Sequence, residues 1–188
     1  MNKTKKTIFE SAIKVFSTYG YSGATMDGIA AQAGLAKGTL YYHFDSKEEI
    51  FNYIIEEGMN LIKERIQETV DEQSDSLSKL KALIKVQLNM FYEQRDFFKV
   101  IMSQLWGQES RQIELREVVN EFIKNIEGYL ERAMNDGFIK KGETAFMAYT
   151  IFGSLCSTAI YELINEDGIN INDIFENITE YILSGIQV

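Results

Sequence analysis

Thr25 to Lys47, TMDGIAAQAGLAKGTLYYHFDSK, holds two short helical patterns back to back. Met26, Ile29, Ala30 and Ala33 recur at helical spacing and run into Gly34-Leu35, and a second pattern follows at once from about Lys37 to Tyr42. This is the outline of a helix-turn-helix. Gly34 supplies the one residue in the turn that takes positive φ without steric strain. Leu35 and Leu40 then face back onto Ile29 and Ala30, which leaves the outer face of the second helix free. That face carries Lys37, Gly38, Thr39, Tyr41, Tyr42 and His43, rich in donors and flat rings and without a carboxylate. Gly38 inside so short a helix is unfavourable by roughly 1 kcal/mol relative to alanine, which is easiest to accept where a partner approaches the backbone closely. The major groove of DNA is such a partner, since it admits one α-helix with side chains against the base edges.

The run Thr25-Met26-Asp27-Gly28-Ile29-Ala30, then Ala33-Gly34, then Lys37-Gly38-Thr39-Leu40-Tyr41-Tyr42-His43-Phe44 with Lys47, resembles the DNA-binding domain of the TetR family of bacterial transcriptional regulators. The resemblance covers about the first quarter of the chain; the remainder resembles the family in length and helical pattern only. It implies an all-α homodimer, with an N-terminal three-helix helix-turn-helix domain at residues 1–47 and an effector-binding and dimerisation domain at residues 48–188. It also implies a repressor released from a palindromic operator by a small-molecule effector. Two recognition helices related by a two-fold axis would read half-sites ~34 Å or somewhat more apart. On this pattern Lys37, Gly38, Thr39 and Tyr41 are candidates for the groove floor, and Thr25, Tyr42, His43 and Lys47 for phosphates. Thr25 is also placed to cap the helix that follows it. The rival reading is a helical ligand-binding or protein-interaction module that no longer reads DNA.

Charge supports a local rather than a general nucleic-acid surface. The chain of 188 residues carries a formal charge of −9, yet residues 1–47 hold six lysines against three carboxylates, +3, which leaves −12 for the rest. Phosphate neutralisation dominates DNA affinity, so the binding face belongs at the N-terminus. There is no proline, which fits short connections between helices. The single cysteine, Cys156, excludes an intramolecular disulfide and suits a reduced, cytoplasmic compartment. The opening residues, MNKTKKTIFESAIKVF, are amphipathic rather than signal-like.

Working outward, apolar residues Ile8, Ala12, Val15, Phe16 and Tyr19 predict a first helix over about 4–19, ended by Gly20. Ser46-Lys47-Glu48-Glu49 is a capping-box pattern ahead of a long helix reaching about Val70. Lys47 in its first turn is an odd place for a cation on dipole grounds, and a phosphate opposite that helix end would account for it. Residues 71–78 read as a loop, and helices are expected over about 77–94, 96–105 and 110–135.

Thr144 to Tyr161, TAFMAYTIFGSLCSTAIY, carries no charge over eighteen residues. Its five serine and threonine residues and the lack of a basic flank argue against a membrane span. A helix apolar nearly all round needs cover on every side, and a partner subunit provides it. Gly153 and Ser157 would admit a second helix closely, with Ile160 on the same surface, while Phe152, Leu155, Ala159 and Leu163 pack inward. A final helix from about Ile171, with Ile174, Ile178 and Ile182, adds a second stripe, and together the two make a four-helix dimer interface. A central buried helix of a monomer is the alternative.

Catalytic chemistry finds no footing in the sequence. One histidine cannot build a multi-histidine site, Cys156 lies in the apolar segment away from any base, and no phosphate-binding glycine loop is present. Asn165–Asp173 has the look of a calcium loop, but its register puts Leu163 and Ile174 at ligand positions. No enzyme activity, cofactor or metal is therefore expected. Aromatic and sulfur side chains in the body, Phe91, Phe98, Met102, Trp106, Phe122, Tyr149 and Phe152, are candidates to line a pocket for an apolar or aromatic effector, with ordinary core as the alternative.

Overall fold

The computed structural model describes residues 2–164 and 170–186, with the side chains of residues 159, 162, 163, 171 and 186 set aside. The inward packing expected of Ala159 and Leu163 thus lies outside the described residues, as do residues 165–169 of the rejected calcium loop. The described residues form α-helices throughout: α1 Lys3–Gly23, α2 Met26–Gln32, α3 Lys37–His43, α4 Lys47–Asp71, α5 Ser76–Glu93, α6 Arg95–Gln104, α7 Ser110–Asn135, α8 Thr144–Ile164 and α9 Ile171–Ile186. Among the described residues no helix is long and apolar enough to cross a membrane.

The chain divides into two compact units. The first comprises Met1–Leu61 with Asp96–Glu117, that is, α1 to α3, the first part of α4, α6 and the opening turns of α7. Its core is Ile8, Ala12, Phe16, Ile29, Leu40, Ile50, Phe51 and Ile54, all nearly or fully buried. α1 packs on α2 and α2 on α3, so the two short helices are held by packing rather than by their own propensity. The glycine expected to end α1 does interrupt it: Gly20 has φ 67°, and Ala24 N–H closes the turn on the Gly20 carbonyl at 3.1 Å. The chain then makes one more turn to Gly23 instead of stopping.

The second unit comprises Ile62–Arg95 and Val118–Val188. Here α5 packs against α8 and α9, and α8 against α9. Leu80, Leu83, Ile84, Leu88, Ile126, Leu130, Ala148, Ile151 and Leu155 form its buried centre. Asp75 caps α5 by accepting from the Ser78 N–H at 2.9 Å and the Ser78 hydroxyl at 2.6 Å. These hydrogen bonds, the side-chain one first, hold its carboxyl below the ordinary range.

Candidate nucleic-acid interface

The turn between α2 and α3 is built as the sequence requires. Gly34 has φ 64°, and Leu35 N–H donates to the Ala30 carbonyl at 2.9 Å while Gly34 N–H donates to Ala31 at 3.1 Å. Thr25 caps α2, its hydroxyl oxygen accepting from Gly28 N–H at 3.0 Å. Leu40 is completely buried and fixes the roll of α3, which leaves Lys37, Gly38, Thr39, Tyr41 and Tyr42 exposed and His43 half-buried. Tyr42 is 85% exposed, with its ring edge against His43 at 5.2 Å between centroids. A Cβ added at Gly38 would meet nothing within 4 Å, so no neighbour inside the protein requires glycine there.

The two lysines of the segment are both engaged. Lys37 Nζ lies 2.5 Å from Asp27 Oδ2, and that hydrogen bond, followed by the Asp27 charge, holds the ammonium above the ordinary lysine range. Lys37 is thereby steered along the α2–α3 edge and stays protonated. Lys47 Nζ donates to the Tyr21 carbonyl at 2.7 Å and the Ala24 carbonyl at 3.0 Å, and stands 4.5 Å above the Tyr21 ring. Its position in the first turn of α4 has this physical reason: the cation satisfies carbonyls freed at the end of α1, with a third N–H left over. Next to it, Ser46 accepts from Glu49 N–H at 3.1 Å and Glu49 reaches back to Asp45 N–H at 2.7 Å, close to the capping box read from the sequence.

Two buried polar residues were not singled out by sequence reasoning. Arg111, 5% exposed near the start of α7, lays its guanidinium 3.6 Å from the centre of the Tyr21 ring and donates to Gln104 Oε1 at 3.1 Å, with Glu109 as its ion-pair partner. Tyr21 therefore lies within reach of two cations, Lys47 and Arg111, and its own hydroxyl is pushed up chiefly by burial. Nothing in the local sequence marks Arg111, because a charged residue in the first turns of a helix reads as solvated. Gln87, 1% exposed, sits on the buried face of α5 among Leu83, Ile84, Met90 and Phe91, and among the described residues neither its amide nitrogen nor its oxygen has a hydrogen-bond partner. A signal for it did exist, since a long amide stands there at a core position of the apolar stripe of α5.

The body residues named as a candidate pocket are distributed over both units. Phe98, Met102 and Trp106 fall in the first; Phe91, Phe122, Tyr149 and Phe152 fall in the second. Phe91, Phe98 and Phe122 are buried, and Met102 and Phe152 half-buried. The structure brings Phe122 and Phe152 together, 6.1 Å between ring centres at 70°. Tyr149 is exposed and donates its hydroxyl to Asn120 Oδ1 at 3.2 Å. Trp106 stands in the turn after α6 at 86% exposure, so its ring is not enclosed. Burial pushes the Cys156 thiol up to about 11, which keeps it protonated and a poor nucleophile near neutral pH.

Of the interface candidates, Gly153, Ser157 and Ile160 are exposed on α8, and Ile174, Ile178 and Ile182 are half-buried on α9. Phe146, Ile164 and Tyr181 are also largely exposed in this unit. This apolar helix face is open in the single chain.

The family model for bacterial regulatory proteins of the tetR family matches residues 8–65, and a model for the C-terminal region of YsiA-like proteins matches residues 55–185. A solved structure of a proposed fatty acid metabolism regulator from Clostridium perfringens is 46% identical, covers 97% of this chain and 99% of that one, and superposes with a TM-score of 0.90. The fatty acid metabolism regulator protein of Bacillus subtilis is 29% identical over 185 residues, 96% of this chain and 94% of its own. A crystal structure of the Bacillus subtilis transcriptional regulator FadR in complex with stearoyl-CoA shares the fold, with a TM-score of 0.85 at 23% identity over 97% of this chain and 99% of that one. With the exposed donor face of α3 and the two family models together covering residues 8–185, the chain belongs to the tetR family of bacterial regulatory proteins and is a DNA-binding transcriptional regulator.

Proposed function

We propose that this regulator is a homodimeric repressor of genes of fatty acid metabolism, released from an approximately palindromic operator by a fatty acyl-CoA. The observation that carries this reading is the end-to-end similarity to fatty acid metabolism regulators, 46% identical over 97% of the chain in the Clostridium perfringens case. The functional division is a reading head at residues 1–47 and an effector-binding and dimerising body at residues 48–188. Lys37, Gly38, Thr39 and Tyr41 meet the groove floor; Thr25, Tyr42, His43 and the remaining N–H of Lys47 meet phosphates. Phe91, Phe122 and Phe152 border the acyl chain, and Gln87 offers its unpaired amide to the polar end of that chain, where a donor and an acceptor are both of use.

Release follows by linkage. An effector lowers DNA affinity only if it favours a body arrangement whose two heads no longer match the half-sites, and couplings of this kind are worth about 1–3 kcal/mol. α7 is one continuous helix whose start holds Arg111 against Tyr21, and Tyr21 adjoins the Lys47 that closes α1. Movement of α7 on effector binding is felt at the edge of the reading head through these three side chains.

A gel shift on the DNA flanking the gene tests both halves. The wild type is expected to retard it and to release it on addition of long-chain acyl-CoA, with free CoA or free fatty acid weaker. Tyr42→Ala and Lys47→Ala are expected to weaken retardation at least tenfold. Equal retardation by both variants removes the site assignment, and release by no acyl-CoA of any length removes the effector.

A further inference from the structure

Outside the reading head the strongest unassigned feature is a cleft of about 580 Å³ in the second unit, between the end of α4, the outer face of α5 and α9. Arg65, Ser78, Lys81, Lys85, Asn89 and Phe175 are among its walls, and among the described residues no carboxylate lines it. That is unexpected in a body of charge −12, where cations normally stand beside acids. Arg65 is held in place by Glu93, with 2.6 and 3.2 Å between guanidinium nitrogens and carboxylate oxygens. Lys81 and Lys85 have no ion-pair partner among the described residues. Lys85 Nζ lies 5.2 Å from the centre of the Phe175 ring, so an ammonium and an aromatic surface stand side by side.

Gln87 and the lysines occupy opposite faces of α5: Gln87 is directed into the core, whereas Ser78, Lys81, Lys85 and Asn89, spaced three and four apart, line the cleft. The cleft therefore lies across α5 from Gln87, so a ligand that reaches both passes around the helix. Its chemistry asks for a ligand with several negative charges and a flat group: paired cations for phosphates, hydroxyl and amide side chains for sugar hydroxyls, and the Phe175 ring for a base.

We propose that this cleft binds an adenine nucleotide bearing more than one phosphate, and that its occupant is the nucleotide portion of CoA. The identity of the nucleotide rests on the acyl-CoA reading above; the demand for a polyanion does not. Without the cleft an acyl-CoA and a free fatty acid would differ little as effectors. With it, the regulator responds to the activated form.

Isothermal titration of the full-length protein with CoA, 3′-dephospho-CoA, ADP, pantetheine and inorganic phosphate tests this directly, without DNA. CoA is expected to bind, 3′-dephospho-CoA and ADP several-fold more weakly, and pantetheine not measurably. Lys81→Glu with Lys85→Glu is expected to weaken CoA at least tenfold, the milder Lys81→Ala with Lys85→Ala a few-fold, and Lys99→Glu, an exposed lysine on α6, not at all. Circular dichroism melts confirm that each variant is folded, and the alanine pair stands in if the reversal pair is not. Unchanged CoA binding in the lysine variants overturns the proposal, as does an equal loss with Lys99→Glu or binding of inorganic phosphate as tight as that of CoA. If CoA binds here but no acyl-CoA releases DNA, the cleft stands and the effector reading falls.

Discussion

A methyl group at Gly38 would meet nothing within 4 Å among the described residues, yet glycine stands there in the middle of a seven-residue helix. Its absence of a side chain is therefore of use only to something outside the chain. Gly38→Ala is expected to leave the melting temperature unchanged or raise it, since alanine is favoured in a helix by about 1 kcal/mol, while operator affinity falls at least tenfold. A melt and a gel shift on the same preparation decide it; full DNA binding by this variant would show that α3 does not lie as close to the groove as argued. Gln87 presents the converse case, a polar group without a partner among the described residues. A buried donor or acceptor without a partner is unfavourable by about 1–3 kcal/mol, so Gln87→Leu should stabilise the ligand-free protein by about 1 kcal/mol or more. The same variant should need several-fold more acyl-CoA to leave DNA, because the amide loses its ligand contact. A variant that is destabilised, or one that responds normally to acyl-CoA, removes Gln87 from the effector site.

The helices themselves were largely legible. The expected span over residues 110–135 coincides with α7, and those for α4, α5 and α6 fall within a residue or so of the observed ends, because caps and apolar periodicity are local signals. What periodicity cannot give is the identity of the covering element. It shows that Phe98 and Phe91 each lie on a buried face, but their assignment to different units depends on α6 packing with the reading head. Trp106 meets the same limit: it follows the expected and the observed end of α6, where periodicity says nothing of what covers a ring, and it stands 86% exposed. Gly58 illustrates an element-level constraint that sequence alone does not show. A Cβ there would run into the Phe97 ring, so α4 and α6 approach through the space a side chain would take. Gly58→Ala is expected to destabilise the protein by about 1–3 kcal/mol despite the better helix propensity of alanine, read as a lower midpoint in urea. Gly58→Ala with Phe97→Leu should recover part of the loss; a Gly58→Ala protein as stable as wild type would mean that the two helices separate freely.

At the scale of the molecule, one reading head is too weakly charged to hold DNA by itself. Residues 1–47 carry +3, and Lys37 is already paired with Asp27, so few phosphates are neutralised per subunit. Affinity must come from two heads bound at once, which makes the second binding event intramolecular at an effective concentration in the millimolar range. The surface that joins them has to be apolar and able to match its own copy, and α8 presents Phe146, Gly153, Ser157, Ile160 and Ile164 uncovered, with Tyr181 exposed on α9. Because a two-fold interface repeats every contact, one substitution acts twice. Ile160→Asp, 56% exposed in the single chain and so tolerated by its own fold, should give a folded monomer with an unchanged helical spectrum. Sedimentation is expected to show half the wild-type mass, and operator binding to drop by two orders of magnitude or more while any CoA binding persists. If that variant still sediments as a dimer and retards DNA normally, the subunits meet elsewhere and the two heads are presented by some surface other than α8.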